Sequence, residues 1–567
     1  MKGALLSFIF IFSFSLCEGQ SWDWGRQGHN IGLKATISVA LTTDMNGNAF
    51  LTGGYYPEIS FGADTLVDSN YVSQGYQAYF AKYNASGSLL WATQFIGEYC
   101  YGQSLVADAS NNIIVGGGFE DTIRIGSTLL IGKNDFFLAK CDNNGIPLWA
   151  VAGNGAGLRY ANTNTNALAI DKANNIFISG YFLGNLQLGA VNLSGSDSLY
   201  TIFIAKYDSN GTALWAKKGI ALSPVATNGN PNQSYSVAID HAGNSFIAGI
   251  YNDSIIFGSD TLISPILNNS LGGNLFLVKY DSVGNLLWAR QSVLPSAYSY
   301  AIGYSLTTDK EGNVYYTGYY NDTISFGTYS LIGGGLYFVK YNSNGKIIWV
   351  KGATGNAGSS LSSDEFDNIY MSGGGTSNGI TFGSLTLTAP NTVNAFIIKF
   401  DTSGNALCGS LLYNGIDDQP VCVAVDKTGK YVYTASTFFN DTVFCNSDTL
   451  ISYGQDPYIA RWQNCGIESN TNSQSQSTPS ITLFPNPSNG TFTLQTIGTQ
   501  NFVSATIEIY NVLGEKVYSN TVTSPSYMVN LSGQPNGIYL YRVLNEDACL
   551  SGRQGSLIGE GKIVIQK

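Results

Sequence analysis

Two short blocks between residues 240 and 288 decide the fold. Asp240–Asn244 reads DHAGN and has the form D-x-x-x-N, and Lys279–Trp288 reads KYDSVGNLLW and has the form K-x-x-x-x-G-x-x-x-W. Asp, Asn and Gly at fixed positions are typical of tight turns, because they cap their own turn or adopt a left-handed backbone. Apolar and β-branched stretches such as Leu275–Val278 flank the second block, as expected for strands.

Both blocks recur along most of the chain, with copies of the first starting 55 to 69 residues apart. The further copies of the first block are Asp44–Asn48, Asp108–Asn112, Asp171–Asn175, Asp309–Asn313, Asp364–Asn368 and Asp426–Lys430, the last without its Asn. Those of the second are Lys82–Trp91, Lys140–Trp149, Lys206–Trp215, Lys340–Trp349, Lys399–Cys408 with Cys in place of Trp, and a truncated copy with Arg461 in the Lys position. A recurring period of this kind indicates a repeat architecture.

The spacing within each block is fixed, whereas the spacing between the blocks varies. Fixed spacing predicts short turns between paired strands, and variable spacing predicts loops. Each repeat therefore supplies four strands, which in the fourth copy are predicted at Ser236–Asp240, Ser245–Tyr251, Leu275–Asp281 and Asn285–Gln291. An F-G-x-x-x-L element between the second and third strands, as in Phe257–Leu262, predicts a small extra hairpin.

Seven four-stranded repeats predict an all-β protein with a seven-bladed β-propeller, which protects its sheet edges by closing into a ring. The last repeat ends after its third strand, near Tyr458–Trp462. Trp24–Gly28 precedes the first repeat and matches the fourth-strand sequence Trp288–Ser292. We therefore expect the N-terminal strand to complete the last blade.

The blocks D-x-x-G-N and F-x-x-K-Y-D-x-x-G-x-x-x-W-A resemble the SBBP-type β-propeller repeat of exported bacterial proteins. The resemblance covers about residues 22–465, and the chain departs from it at Lys430, at Cys408 and in the truncated seventh copy. It implies a propeller outside the cytoplasm and implies no activity.

The two ends predict export. Residues 1–19 combine Lys2 with a short apolar run, as in a secretory signal peptide, and no later stretch is long and apolar enough for a transmembrane helix. The propeller is expected over residues 20–465, and residues 466–479 (GIESNTNSQSQSTP) predict a flexible polar linker. Residues 480–567 contain seven short predicted strands, which indicates a separate small β-sandwich.

Several motifs in this last segment resemble the type A C-terminal sorting domain of type IX secretion. The residues that carry the resemblance are Pro485, Asn486, Pro487, Gly490, Asn511, Gly514, Gly537, Tyr539 and Lys562. The resemblance implies export through the periplasm by the type IX secretion machinery, followed by surface attachment or release. An accessory fibronectin-like sandwich is the alternative interpretation.

Composition excludes several functional classes. The chain has 27 Lys and Arg against 38 Asp and Glu, for a net charge of −11, which argues against nucleic-acid binding. Its two histidines, His29 and His241, leave no room for most His-based zinc sites and His-dependent triads. Of eight cysteines, seven remain after removal of the signal peptide, and their pairing is open. We expect no metal and no cofactor.

The recurrent residues have structural interpretations that compete with functional ones. The repeated Asp is expected to cap its turn rather than to bind calcium, because no downstream Glu completes a calcium loop. The repeated cation, on strand three, is expected to make a structural ion pair of little energy or to be solvated. The repeated Trp is expected to pack between blades.

Aromatic residues at the end of strand two are the candidate ligand-binding residues, because they lead into variable loops. They are Tyr55, Tyr56, Phe119, Tyr181, Phe182, Tyr251, Tyr319, Tyr320, Phe438 and Phe439. A tyrosine combines a flat apolar face with a polar tip, which suits sugar or peptide binding, although packing between blades competes with this interpretation.

The sequence therefore predicts an exported, non-enzymatic binding or adhesion module for glycan or protein. A polysaccharide lyase or hydrolase with a loop-built site, and a structural surface-layer component, are the alternatives. No nucleophile elbow, phosphate loop or zinc-protease motif occurs.

Overall fold

The computed structural model describes residues 22–31, 37–68, 75–155, 168–197, 199–222, 232–264, 273–296, 299–353, 358–374, 379–388, 394–413, 422–439, 442–445, 448–465, 480–484, 487–497, 505–522, 524, 526–545 and 557–567. These residues are all-β, with no helix among them. The chain divides into two compact units, Met1–Glu468 and Ser469–Lys567. The predicted signal peptide, the linker 466–479, Pro485 and Asn486 lie outside the described residues.

The first unit consists of antiparallel four-stranded repeats, and the first six follow one another along the chain. Repeats one and two share the long strand Leu89–Ala107; their other strands are Ile37–Thr43, Ala49–Tyr55 and Gln77–Tyr83, then Ile113–Ile125, Asp135–Cys141 and Pro147–Ala152. Repeat three has Leu168–Ile170, Ile176–Phe182, Thr201–Tyr207 and Ala213–Ala221, and repeat four has Gln233–Ile239, Ser245–Tyr251, Asn274–Tyr280 and Leu286–Gln291. Repeat five has Ala301–Thr308, Val314–Tyr320, Gly335–Tyr341 and Ile347–Ala353, and repeat six has Gly358–Ser363, Ile369–Gly374, Asn394–Phe400 and Ala406–Tyr413.

The seventh repeat takes its fourth strand from the N-terminus. Cys422–Val425, Val432–Phe439 and Gln455–Trp462 pair in order, and Trp22–Gln27 pairs with the last of them. The register places Trp24 opposite Arg461 and Gln27 opposite Tyr458. The predicted pairing of the N-terminal strand is confirmed.

A small hairpin between the second and third strands occurs in every repeat. The hairpins are Glu58–Phe61 with Asp64–Val67, the end of Ile113–Ile125 with Thr128–Ile131, Asn185–Leu188 with Val191–Ser194, Ser254–Phe257 with Asp260–Ile263, Thr323–Phe326 with Tyr329–Ile332, Ile380–Phe382 with Leu385–Leu387, and Thr442–Cys445 with Asp448–Ile451. Several hairpins extend the sheet of the preceding repeat, as Ser254–Phe257 does by pairing with Ala213–Ala221. The short strands Asn154–Gly155 and His29–Asn30 pair with hairpins in the same way. These pairings cover sheet edges that would otherwise be exposed.

The hydrophobic core lies between consecutive repeats. First strands contact one another in chain order, and Cys422–Val425 of repeat seven contacts Ile37–Thr43 of repeat one. One buried cluster joins Leu51 and Tyr79 of repeat one to Tyr433 and Ile459 of repeat seven. The interface between the last and first repeats is therefore built like the others.

The second unit contains two antiparallel sheets over one core. One sheet has the strands Ser480–Phe484, Thr491–Ile497 and Ser526–Asn530, and the other has Lys516–Val522, Ala505–Asn511, Gly537–Asn545 and Leu557–Ile565. Phe492 and Val529 of the first sheet pack in one buried cluster with Ile509 and Ile563 of the second. All seven strands predicted in this segment are present, with ends shifted by a few residues.

Candidate functional site

The Asp of the first block caps its own turn, as predicted. In repeat four, Asp240 Oδ1 accepts hydrogen bonds from the backbone amides of Ala242 and Asn244 at 3.0 and 2.9 Å. Asp240 Oδ2 accepts a third from Asn244 Nδ2 at 2.8 Å. The same three bonds occur around Asp44, Asp108, Asp171, Asp309 and Asp364.

The Lys of the second block pairs with this Asp inside the protein. Lys279 Nζ lies 3.0 Å from Asp240 Oδ2, with side chains 4% and 3% exposed. Equivalent pairs join Lys82 to Asp44, Lys140 to Asp108, Lys206 to Asp171 and Lys340 to Asp309. The expectation of weak surface pairs is thus wrong, because both partners are buried, and losing one partner leaves an uncompensated charge.

Burial and the charged or hydrogen-bonded neighbours shift the pKa values of these groups in opposite directions. Burial lowers the pKa of Lys82, although the neighbouring carboxylate of Asp44 acts to raise it. Burial alone would raise the pKa of Asp108, but hydrogen bonds from Lys140, Asn112 and Ser110 hold that pKa below its usual value. These ion pairs therefore serve folding, and they supply no free cation or carboxylate for chemistry.

The Trp of each repeat joins it to the next repeat. Trp288 Nε1 and Lys279 Nζ both donate to the carbonyl oxygen of Ser343 in repeat five, at 3.1 and 3.2 Å. The Trp288 ring covers Gly345 of repeat five, where an added Cβ would lie 2.9 Å from it. The fixed Lys, Gly and Trp of the second block are therefore explained by this interface, and the predicted packing role of the Trp is confirmed.

The N-terminal strand reproduces this interface at the junction of repeats seven and one. Trp24 Nε1 and Arg461 Nη1 donate to the Ala85 carbonyl oxygen at 3.1 and 2.5 Å. An added Cβ at Gly87 would lie 2.7 Å from the Trp24 ring. Arg461 also forms an ion pair with Asp23 at 3.1 Å.

A disulfide replaces the Trp contact between repeats six and seven. Cys408, in the Trp position, is bonded to Cys465, and Lys399 Nζ donates to the Cys465 carbonyl oxygen at 3.3 Å. The sequence had left the pairing of the cysteines open. Four other described cysteines are buried and form no disulfide, and burial raises the pKa of each thiol to about 12: Cys100, Cys141, Cys422 and Cys445. Buried thiols with a raised pKa are typical of structural rather than nucleophilic cysteines.

Most of the predicted ligand-binding aromatics lie inside the protein. Tyr55, Tyr56, Phe119, Tyr181, Phe182, Tyr251, Tyr320 and Phe438 are all at least nine-tenths buried. Tyr251 donates from its hydroxyl to Gln291 Oε1 at 2.8 Å, and the Tyr181 ring packs edge-on against Tyr200. Tyr319 is half-buried, and Phe439 is 51% exposed. The eight buried side chains reach a ligand only if the surrounding structure moves.

A large central cavity lies at the other end of the strands. It has a volume of about 890 Å³, and all seven repeats contribute equivalent residues, from the end of strand one and the following turn. In repeat one Thr43, which lines the cavity, pairs with Ala49. Tyr55 lies six residues beyond Ala49 on the same strand, so it is about 20 Å from the cavity end of that strand. The cavity thus opens on the side of the fixed turns, opposite to the predicted binding face.

The residue after the turn Asp forms the mouth of this cavity. In repeat order these residues are Met45, Ala109, Lys172, His241, Lys310, Glu365 and Lys427, all of them exposed. The apolar side chains of Met45 and Ala109, in repeats one and two, are thus followed by three basic side chains in repeats three to five. Among the described residues, no group of three or more His, Cys, Asp or Glu side chains could hold a metal ion.

The described residues of the sorting motif fix turns and the last strand. Asn511 Oδ1 accepts from the amides of Leu513 and Glu515 at 3.0 Å each, and Gly514 closes that turn at a φ of 83°. Gly490 has a φ of 105°, and its carbonyl accepts from the Leu531 amide. The buried Tyr539, two residues after Gly537, donates to the Pro535 carbonyl at 2.9 Å. Pro487 is exposed, and Lys562 lies in the final strand.

Comparison with known proteins identifies the C-terminal segment. Residues 482–553 match the secretion system C-terminal sorting domain family. This match indicates a protein that is secreted or reaches the cell surface through the type IX secretion machinery. No helix among the described residues has the length and apolar character needed to cross a membrane.

Comparisons of the whole chain give distant similarities. The chain is 24% identical over 535 residues to the uncharacterized WD repeat-containing protein L264 of Acanthamoeba polyphaga mimivirus, covering 77% of this chain and 38% of that protein. It therefore spans well under half the length of this curated relative. Among solved structures, the Dos1 propeller has 10% identity over 79% of this chain and 97% of its own, with a TM-score of 0.35. PorZ, a surface component of the type IX secretion system of Porphyromonas gingivalis, has 12% identity over 94% of this chain and 100% of its own, with a TM-score of 0.16.

Proposed function

We propose that this chain is an exported seven-bladed β-propeller of SBBP-type repeats that binds a ligand in its central cavity without catalysing a reaction. Its C-terminal β-sandwich directs export, and export is followed by attachment to the cell surface or by release. The cavity of about 890 Å³, to which every repeat contributes, is the observation that carries the binding role. Ligand sites in proteins are concave, and most have volumes of about 300–1,000 Å³.

The junction between repeats seven and one supports a closed ring of seven blades. Trp24 and Arg461 contact repeat one as Trp288 and Lys279 contact repeat five. The contacts between first strands around the cavity likewise continue from repeat seven to repeat one. A closed ring leaves no unpaired blade and gives the cavity a rigid wall.

The geometry of the turns argues against a catalytic role for the repeated Asp residues. The turn Asp residues are held by backbone amides, Asn side chains and buried Lys residues, as shown for Asp240, Asn244 and Lys279. A general acid or base needs a carboxylate free to exchange a proton with its substrate. The exposed side chains at the mouth, by contrast, are free to contact a ligand.

The test is to present a glycan array and a panel of surface proteins to the purified full chain, while assaying the same glycans for released sugars. Ala109→Trp adds a large side chain at the mouth of the cavity, whereas Ala173→Trp places the same side chain on an exposed residue outside the lining. We expect capture by the wild type and by Ala173→Trp, loss of capture in Ala109→Trp, and no released sugar. Capture that survives Ala109→Trp would place the ligand elsewhere, and sugar release would establish an enzyme.

The predicted variable face is the second location to test. Tyr319→Ala removes a half-buried ring that packs against Tyr300, with ring centroids 5.8 Å apart. If Tyr319→Ala abolishes capture while Ala109→Trp does not, the ligand binds near the ends of strand two, as the sequence alone suggested.

Export depends on the last strand in this proposal. Leu557–Ile565 pairs with Gly537–Asn545, and Ser488 bridges to its end, donating from its amide to the Val564 carbonyl at 3.0 Å. Removing residues 562–567 should therefore disrupt the sorting domain and leave the protein in the periplasm. Cell fractionation measures this, and normal surface display of the truncated protein would contradict it.

A further inference from the structure

The turns around the cavity mouth are joined by a recurrent hydrogen bond. The side chain in the fourth position of one turn accepts from the amide after the turn Asp in the preceding repeat. Met45 donates to Asn111 Oδ1 at 3.1 Å, and Ala109 donates to Asn174 Oδ1 at 3.2 Å. Lys310 donates to the carboxylate of Asp367 at 2.9 Å. A planar oxygen acceptor therefore fits this position.

Four repeats lack this side-chain acceptor, because the turns that they face carry Gly47, Gly243, Gly312 or Gly429 in the fourth position. The Glu365 amide, which faces Gly429, donates instead to the Lys427 carbonyl oxygen at 2.8 Å. The amides of Lys172 and His241 face turns whose fourth residues are Gly243 and Gly312, which have no side chain. Among the described residues, neither amide has a hydrogen-bond acceptor. The Lys427 amide, two repeats beyond Lys310, faces the turn that carries Gly47 and likewise has no acceptor among the described residues. An exposed donor without a protein partner is available to a ligand.

The same arc of the mouth carries positive charge. Lys172, His241 and Lys310 are exposed on three consecutive repeats, and neither lysine has an ion-pair partner among the described residues. This differs from the chain as a whole, whose net charge is −11. The turn Asp residues of these three repeats, Asp171, Asp240 and Asp309, also line the cavity, and each is paired with a buried lysine. Among the other acidic lining residues, Glu365 lies in the next repeat, and Asp367 is already bonded to the Lys310 amide.

We propose that this arc, formed by Lys172, His241 and Lys310, binds the carboxylate of a small acidic ligand. The carboxylate accepts from the Lys172 and His241 amides in the way that the Asp367 carboxylate accepts from the Lys310 amide, and the two ammonium groups neutralise its charge. The cavity below accommodates the rest of the ligand. The inference rests on the proposed function and adds the chemical class of the ligand.

Binding of trigalacturonate and of neutral maltotriose to the full chain, measured by calorimetry, tests this inference. Gly243→Asn supplies the missing acceptor. The nearest atom to an added Cβ is 3.6 Å away, and Asn174 already occupies the equivalent position at a φ of 61°. We expect wild-type binding of trigalacturonate that weakens with salt, and an affinity about tenfold lower in Gly243→Asn. Lys172→Gln should also weaken binding, whereas Lys346→Gln, an exposed change outside the cavity lining, should not.

The outcomes separate this inference from the proposed function. Binding of maltotriose but not of trigalacturonate, lost in Ala109→Trp, would retain the cavity site and overturn the carboxylate arc. Trigalacturonate binding that Gly243→Asn and Lys172→Gln leave unchanged would also overturn it, as would no trigalacturonate binding at millimolar concentration. The glycan and protein panel tests the cavity itself independently of these results.

Discussion

Trp24→Ala tests whether the N-terminal strand closes the first unit. Trp24 is 6% exposed, covers Gly87 of the next repeat and donates to the Ala85 carbonyl. Truncating a buried Trp to Ala typically costs about 3–5 kcal/mol, which includes the cavity left behind. The Ala85 carbonyl keeps its bond from Arg461, so no buried acceptor is left without a donor. We therefore expect the free energy of unfolding to fall by about 4 kcal/mol, from the truncation alone.

Trp288→Ala is the matched comparison, because Trp288 is 7% exposed and makes the same contacts between consecutive repeats of the continuous chain. The two variants should differ by less than about 1 kcal/mol if both interfaces are equivalent. Leu287→Ala removes a large apolar side chain that is 51% exposed, and it should change stability by no more than about 0.5 kcal/mol.

Urea unfolding monitored by Trp fluorescence measures these values, because all eight Trp residues lie between residues 22 and 462. The denaturant slopes must agree between variants for the comparison to hold. A loss below about 1 kcal/mol in Trp24→Ala, beside a loss of 3–5 kcal/mol in Trp288→Ala, would refute closure by the N-terminal strand.

Three further predictions concern the ion pairs, the disulfide and the sorting domain. Lys279→Met leaves the buried carboxylate of Asp240 without its partner and should lower the free energy of unfolding in urea by about 3–5 kcal/mol, and adding Asp240→Asn should recover part of that loss. Additive losses in the double variant would show that the pair is not coupled. The double change Cys408→Ala and Cys465→Ala should lower the unfolding free energy by about 2–4 kcal/mol and remove any effect of reductant on the melting temperature, and a reductant effect that persists would point to another disulfide. Hydrogen bonds from Lys516 and Tyr510 lower the pKa of Glu508 to about 2, so the stabilisation by this carboxylate is present above its unfolded pKa and is lost as the pH falls through about 2. Glu508→Gln should therefore speed amide exchange in residues 505–511 at neutral pH, and the difference from the wild type should vanish near pH 2. A difference in exchange rate that is independent of pH would exclude this cause.

The sequence predicted the candidate site less well than it predicted the fold. The aromatics at the end of strand two were chosen because variable loops often bind ligands, yet Tyr55 and Tyr251 are fully buried. Side chains near a strand end look alike in sequence whether they point toward a neighbouring sheet or toward solvent. The mouth residues Lys172 and His241 follow the repeated Asp, at a position that varies among the copies, and this variation was the available signal. Their meeting around one cavity depends on the arrangement of separate repeats.

The sequence by itself determined the local structure. Turn chemistry and the alternation of fixed and variable spacing act over a few residues, so the strands, their pairing within repeats and the displaced fourth strand could be derived from the order of residues alone. Burial and the contacts between repeats were decided by tertiary structure: the shared carbonyl under Trp288 and Lys279, the burial of the Asp240 ion pair within repeat four, the bond between Cys408 and Cys465, and the unfilled Lys172 amide beside Gly243. Each depends on distances between residues tens to hundreds of positions apart, and those distances are set only when the apolar faces of neighbouring sheets pack together.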